Sequence, residues 1–149
     1  MITYLKGDAT EPDIKNSTMF IVHMCNDVPS WGAGFVLAVS KKWKKPEKEY
    51  WKLSKYKLGT IKTVCVDENN CLNVINMTAQ HRIGRYGKVS YNHLEKCLND
   101  VYNEVHDHIN PTVHMPRIGC GLGKGRWSVV EGIIKKTLKD IPVYVYDLK

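Results

Sequence analysis

The chain has 149 residues, of which 43% are hydrophobic, 25% charged and 9% aromatic. These proportions describe one globular domain spanning residues 1–149, with enough apolar side chains for a sizeable core, and they exclude an intrinsically disordered chain. No apolar run approaches the roughly 18–20 residues of a membrane span, and the opening MITYLKGDAT lacks the pattern of a secretory signal. A cytoplasmic protein with no membrane partner is therefore expected. Five cysteines, Cys25, Cys65, Cys71, Cys97 and Cys120, contain no CxxC pair and read as reduced thiols rather than a disulfide framework or a zinc site. The net charge of +7 favours an anionic partner but does not choose among nucleic acid, a nucleotide and a phosphorylated substrate.

Ile2–Lys6 predicts a short strand stopped by Gly7-Asp8. Met19–Cys25 is an apolar run rich in β-formers, the mark of a buried strand, and Asn26–Ser30 is turn-like. Gly32–Trp43 reads as a helix with Phe35, Val36, Val39 and Trp43 on one face, and Pro46 opens a second. Lys62–Val66 and Leu72–Met77 predict strands around the turn Asp67–Asn70. Ser90 is placed to cap a helix from Tyr91 to His108, with Leu94, Leu98, Val101 and Val105 at helical spacing. Val113–Met115 predicts a strand, Trp127–Leu138 a helix and Pro142–Tyr146 a closing strand. Strands alternating with helices predict an α/β sandwich whose sheet is covered on both faces. Ligands of such folds bind at the carboxyl ends of the strands.

The segment Gly119-Cys120-Gly121-Leu122-Gly123-Lys124-Gly125 precedes a predicted helix. Alternating glycines let successive N–H groups point at one anion, so the loop reads as a phosphate cradle, with a flexible turn as the plainer reading. Cys120, Gly123 and Arg126 also give C-x-x-G-x-x-R, which partly resembles the phosphate loop of cysteine-dependent phosphatases. The histidine expected before the cysteine is Gly119 here, however, and the Ser or Thr after the arginine is Trp127. Trp31-Gly32-Ala33-Gly34 is a second loop that a phosphate could approach closely, and the two would form jaws around a diphosphate. His23 is a candidate proton carrier or a satisfied core residue. Asn26 could bond a ribose or orient a water, and Asp8 is either an acceptor for an exocyclic amine or a turn former. Lys41–Lys62 carries nine lysines and two glutamates among aromatic residues, readable as a nucleic-acid patch or as the solvated face of a helix pair. His106 and His108 are two apart and do not share a helix face, and no metal or cofactor site is expected.

Taken in order, Gly7-Asp8-Ala9-Thr10, the segment from Ile21 to Gly34 (IVHMCNDVPSWGAG), Met115–Leu122 (MPRIGCGL) and the closing Val143–Tyr146 resemble the macro domain, an ADP-ribose-binding α/β module. The resemblance implies a three-layer α/β/α fold with a six-stranded mixed sheet. His23-x-Cys25-Asn26, Ser30-Trp31-Gly32-x-Gly34 and Pro46-x-x-x-x-Tyr50 look like the ADP-ribose 1″-phosphate phosphatase branch. Ile2–Asp8 and Met115–Leu122 look like the terminal ADP-ribose protein glycohydrolase branch, but its strand-end lysine aligns with Met77 and its acidic residue with Gly123. That covalent mechanism is therefore missing.

The resemblance further implies roles. Asp8, with Ala9 beside it, would accept from the adenine amine. Gly32, Ala33, Gly34 and Phe35 would line one side of the diphosphate, and Gly119, Cys120, Gly121, Leu122 and Gly123 the other. Met24, Cys25, Trp31, Arg117 and Ile118 would complete the substrate site. His23 and Asn26 would be catalytic, next to the distal ribose and its phosphate. The expected activity is hydrolysis of ADP-ribose 1″-phosphate. The alternatives are a non-catalytic ADP-ribose reader and a hydrolase acting on ADP-ribosylated protein or nucleic acid. A monomer without cofactor is expected.

Overall fold

The computed structural model describes residues Met1–Lys149. In chain order the elements are β1 (Ile2–Lys6), β2 (Thr18–Asn26), α1 (Phe35–Lys42), α2 (Lys45–Trp51), β3 (Thr60–Asp67), β4 (Leu72–His81), β5 (Lys88–Val89), α3 (Tyr91–Val105), β6 (Pro111–Met115), α4 (Trp127–Thr137) and β7 (Val143–Asp147). The strands form one mixed sheet in the order β1-β7-β6-β2-β4-β3, with β5 added to the end of β4. The six expected strands are present, and the two-residue β5 makes a seventh. β1, β7, β6, β2 and β4 are mutually parallel, whereas β3 and β5 run antiparallel to β4.

Strand periodicity divides the core into two layers. From β2 and β4, Phe20, Val22, Ile75, Met77 and Ala79 face α3 and α4 in the larger layer, built on Leu94, Leu98, Val101, Val130 and Ile134. Met19, Ile21, Cys25, Leu72 and Val74 face α1 and α2, with Trp31, Val36, Val39 and Tyr50. All nine lysines between Lys41 and Lys62 are exposed on this second side. No helix is long and apolar enough to cross a membrane.

Three local expectations change. α1 starts at Phe35 rather than Gly32, because Gly34 adopts φ 84° and ψ −153°, a backbone that no helix can contain and that glycine alone takes without strain. Ser90 is the N-cap of α3, but its hydroxyl meets Nδ1 of His93 at 2.6 Å instead of capping the backbone. α3 ends at Val105 rather than at His108, where the imidazole of His106 turns back onto the carbonyls of Tyr102 and Asn103.

The polar face of β6 is satisfied by a chain of side chains. Tyr146 meets Nδ1 of His114 at 2.8 Å, Nε2 of His114 meets Thr112 at 2.7 Å, and Thr112 meets Ser17 at 2.8 Å. Ser17 donates to the carbonyl of Asn110, so the protons all point one way and His114 is neutral. Burial lowers its pKa to about 4. The folded state thus binds fewer protons than the unfolded chain between pH 6.5 and 4, and stability falls as pH falls through that window. The expected loss from this residue is roughly 3 kcal/mol by pH 4. Urea melts of wild type and His114→Gln between pH 7 and 4 check it, the variant showing the shallower pH dependence. Separately, Gly132 lies inside α4 with nothing within 4 Å of an added Cβ. Gly132→Ala should raise stability by about 0.5–1 kcal/mol in the same melts.

Candidate functional site

Because β2, β4 and β6 are parallel, their carboxyl ends and exit loops meet at one edge of the sheet, where they enclose a cleft of about 360 Å3. His23 and Met24 of β2 and Gln80 of β4 lie at its base. One wall is Ala33, Gly34, Phe35 and Val36, the entry to α1. The other is Pro116, Arg117, Ile118, Gly119, Gly121, Leu122 and Gly123, the loop leaving β6.

Apart from Arg117, the walls are glycines and apolar residues, so their polar groups are mostly backbone. The amides of Ala33, Gly34, Phe35 and Val36 donate to no carbonyl, nor do those of Gly119, Gly121, Leu122 and Gly123. Two facing rows of free N–H groups suit an anion carried between them. Glycine is required for this approach. A Cβ on Gly34 would meet Leu122 Cδ1 at 3.0 Å, so the two walls touch there. Within the second loop, Gly119 takes φ 75°, and a Cβ on Gly123 would stand 2.8 Å from its carbonyl oxygen. The loop is tied down by Gly125 N–H to the Gly119 carbonyl (2.6 Å) and by Val89 N–H to the Gly123 carbonyl (2.8 Å).

His23 is 1% exposed. Its Nε2 meets Oδ1 of Asn76 on the neighbouring strand at 2.6 Å, while its Nδ1 is buried without a partner. The ring stands edge-on to Trp31 at 5.5 Å and beside Phe35 at 5.9 Å. Burial lowers its pKa to about 4, against the opposing effect of the Asn76 bond, so the imidazole is neutral at pH 7. It offers a hydrogen-bond acceptor, not a cationic acid.

Ten of the residues expected to bind or act line the cleft with His23 or beside it: Met24, Ala33, Gly34, Phe35, Arg117, Ile118, Gly119, Gly121, Leu122 and Gly123. Seven others do not. Asp8 uses Oδ1 to hold the N–H and hydroxyl of Thr10, closing the turn after β1, and its second oxygen is free. Burial would raise its pKa, but the Thr10 bonds and the charges of Lys42 and Lys41 outweigh this and lower it. Ala9 and Cys25 are core. Asn26 falls at the bulge after Cys25, paired with Gln80, and its carbonyl accepts from the Tyr50 hydroxyl. Trp31 is buried with its indole N–H on Ser40, and Gly32 is exposed with no neighbour within 4 Å. Cys120 is half-buried, and burial raises its thiol pKa despite Arg117 nearby. With α4 beginning only at Trp127, no helix terminus stabilises a thiolate at Cys120, which weighs against the cysteine-phosphatase pattern. Arg117 lines the wall, yet its guanidinium bonds both oxygens of Asp147 at 2.7 and 2.9 Å and lies over the rings of Tyr4 and Trp127.

Gln80, Val36 and Pro116 were not anticipated. Gln80 follows the last apolar residue of β4 with no local motif, and only strand pairing brings it to the cleft. Met77, where the glycohydrolase lysine would align, is fully buried in the larger core layer.

No protein-family model matches the chain. A macrodomain protein from Streptomyces coelicolor is 39% identical, the match covers 99% of each chain, and the folds superpose with a TM-score of 0.83. The chain belongs to the macro domain family. This macro domain is also 44% identical to a Bacteroides thetaiotaomicron protein of unknown function, over 99% of this chain and 98% of that one, with a TM-score of 0.89. Among curated proteins, the ADP-ribose 1″-phosphate phosphatase of Lodderomyces elongisporus is 26% identical over 98% of this chain and 99% of its own length.

All five cysteines are free. Cys71 is exposed, Cys25 and Cys97 are buried, and burial raises the thiols of Cys25, Cys97 and Cys120. Titration of the native macro domain with an aromatic disulfide at pH 8 should modify Cys71 first and Cys120 at least tenfold more slowly. Cys25 and Cys97 should react only after unfolding. A fast-reacting Cys120 would favour the nucleophile reading.

Proposed function

We propose that this macro domain binds ADP-ribose in the cleft and hydrolyses ADP-ribose 1″-phosphate to ADP-ribose and phosphate. The observation that carries the binding half is the pair of facing N–H rows, between which the diphosphate fits. The free carboxylate oxygen of Asp8, beyond the β1 side of the sheet, would take the adenine amine. The distal ribose and its phosphate would then lie towards β2 and β4, at His23, Asn26 and Gln80. The phosphatase half is supported by the full-length likeness to a curated protein of that activity.

In the proposed reaction, water attacks phosphorus, with Asn26, just beyond the cleft lining at the end of β2, as its proposed anchor. The bond from phosphorus to the ribose C1″ oxygen breaks, and the water's proton passes through a phosphoryl oxygen to the leaving oxygen. His23 acts as a fixed acceptor that orients the ribose. Rate enhancement then comes from positioning and from backbone donors on the phosphoryl charge. Because His23 titrates near 4, turnover owes no pH dependence to it between pH 5.5 and 8.

One observation favours a second reading. His23 and Arg117 are the only titratable side chains lining the cleft, one weakly basic and the other held by Asp147. A cleft with so little acid–base chemistry suits a reader that binds ADP-ribose without turning it over.

Calorimetry with ADP-ribose and phosphate release from ADP-ribose 1″-phosphate test both halves. Wild type should bind and release phosphate. Gly123→Ala should weaken binding at least tenfold, since its Cβ displaces the Gly119 carbonyl, and His23→Ala should slow release at least tenfold. Binding without release identifies a reader, and absence of binding overturns the proposal. ADP-ribosylated protein and ADP-ribosylated DNA as further substrates separate a macromolecular hydrolase from either.

A further inference from the structure

The partners of Asn76 fix more than its own position. Asn76 lies opposite His23 in the parallel pairing of β2 with β4, on the face turned towards α1 and α2. Its Nδ2 donates to the Pro46 carbonyl at 3.1 Å, which leaves Oδ1 directed at Nε2 of His23. The opposite amide orientation would set two oxygens against each other at Pro46, so Oδ1 is the atom His23 meets. An amide oxygen only accepts, and Nε2 must therefore carry the hydrogen. Nδ1 is then the lone-pair nitrogen, buried and unpartnered in a residue at the base of the cleft. Trp31 and Phe35 hold the ring from its sides.

We infer that Asn76 is a positioning residue: it holds the His23 imidazole as the Nε2–H tautomer, so that Nδ1 meets the ligand as a hydrogen-bond acceptor for a sugar hydroxyl. The inference rests on the ADP-ribose reading above and deepens it. The free backbone amides on the two walls are donors and suit phosphate oxygens. A lone pair among those donors repels an anionic oxygen and accepts from an O–H, which makes it the place where the distal ribose, rather than a phosphate, is recognised. No charged side chain faces the ring. From β4 it meets the neutral Asn76, from the loop before α1 Trp31, and from α1 Phe35. The titratable groups behind them are Tyr50, packed on Trp31, and Glu47, which reaches Trp31 only through Ser40.

Nitrogen-15 NMR of histidine-labelled wild type tests the tautomer directly. In the free protein at pH 7 Nδ1 of His23 should resonate as an unprotonated nitrogen and Nε2 as a protonated one. ADP-ribose should move Nδ1 in the direction of hydrogen-bond acceptance, whereas ADP, which lacks the distal ribose, should not. Asn76→Asp supplies the second arm. A carboxylate beside Nε2 stabilises the imidazolium and turns Nδ1 into a donor. Affinity of the variant for ADP-ribose should be at least tenfold weaker at pH 6 than at pH 9, while that of wild type stays flat. A protonated Nδ1 in the free protein overturns the role of Asn76, whatever the ligand. An equal response to ADP overturns the hydroxyl assignment. A uniform loss of affinity at every pH marks Asn76 as merely structural and also overturns it. Failure of wild type to bind ADP-ribose overturns the underlying reading, and the ligand half with it.

Discussion

Parallel pairing of β2 with β6 on one edge and β4 on the other is the constraint on which the cleft depends. Parallel strands deliver all their carboxyl ends to one side, so loops that leave residues 26, 81 and 115 are brought together although they are far apart in the chain. The sheet is covered on both faces, so its strands read as largely apolar runs, and polar residues inside them, such as Asn76 and His114, are held by side-chain and backbone partners. His23 and Gln80 occur in the carboxyl-terminal halves of β2 and β4, and Asn76, opposite His23 in the register, lies midway along β4. An antiparallel partner at either edge of β2 would send one of these ends to the opposite side and dismantle the site.

The cleft is also economical in side-chain chemistry. Its walls offer backbone amides, which need no charge and do not titrate, and which are directed by glycines that a Cβ would displace. Arg117, expected in the substrate site, lines the cleft but spends its guanidinium on Asp147 and two aromatic rings, holding the ends of β6 and β7 together. The lysines between α1 and β3 sit on an exposed face. The overall positive charge therefore has little part in the site itself and contributes at most a long-range attraction for anions.

Burial decides what the one histidine of the cleft can do. Its neighbours are an amide and two aromatic rings, none of which compensates a positive charge, so the neutral form wins. The same physics makes Cys120 a poor thiolate. Both residues look reactive when read in isolation; His23 has no compensating charge beside it, and at Cys120 burial outweighs the charge of Arg117, so neither is the acid, base or nucleophile that its type suggests. His114, on β6 outside the cleft lining, follows the same rule, its pKa lowered by burial.

The sequence by itself determined the alternation of strands and helices, the glycine loop and the family, because these depend on local periodicity, on glycine's backbone freedom and on motifs that stand in chain order. It placed the six long strands and most helix ends within a few residues, but not the two-residue β5. It did not reveal Gln80 at the base of the cleft, Asp147 on Arg117, Ser40 on Trp31 or Asn76 on His23. The His23–Asn76 and Arg117–Asp147 pairs join residues 53 and 30 positions apart, and nothing local to either partner encodes the other. The tertiary structure alone decided them, since a hydrogen-bond partner is chosen by strand register and burial, and these in turn decide whether a histidine, a cysteine or an arginine is free to act.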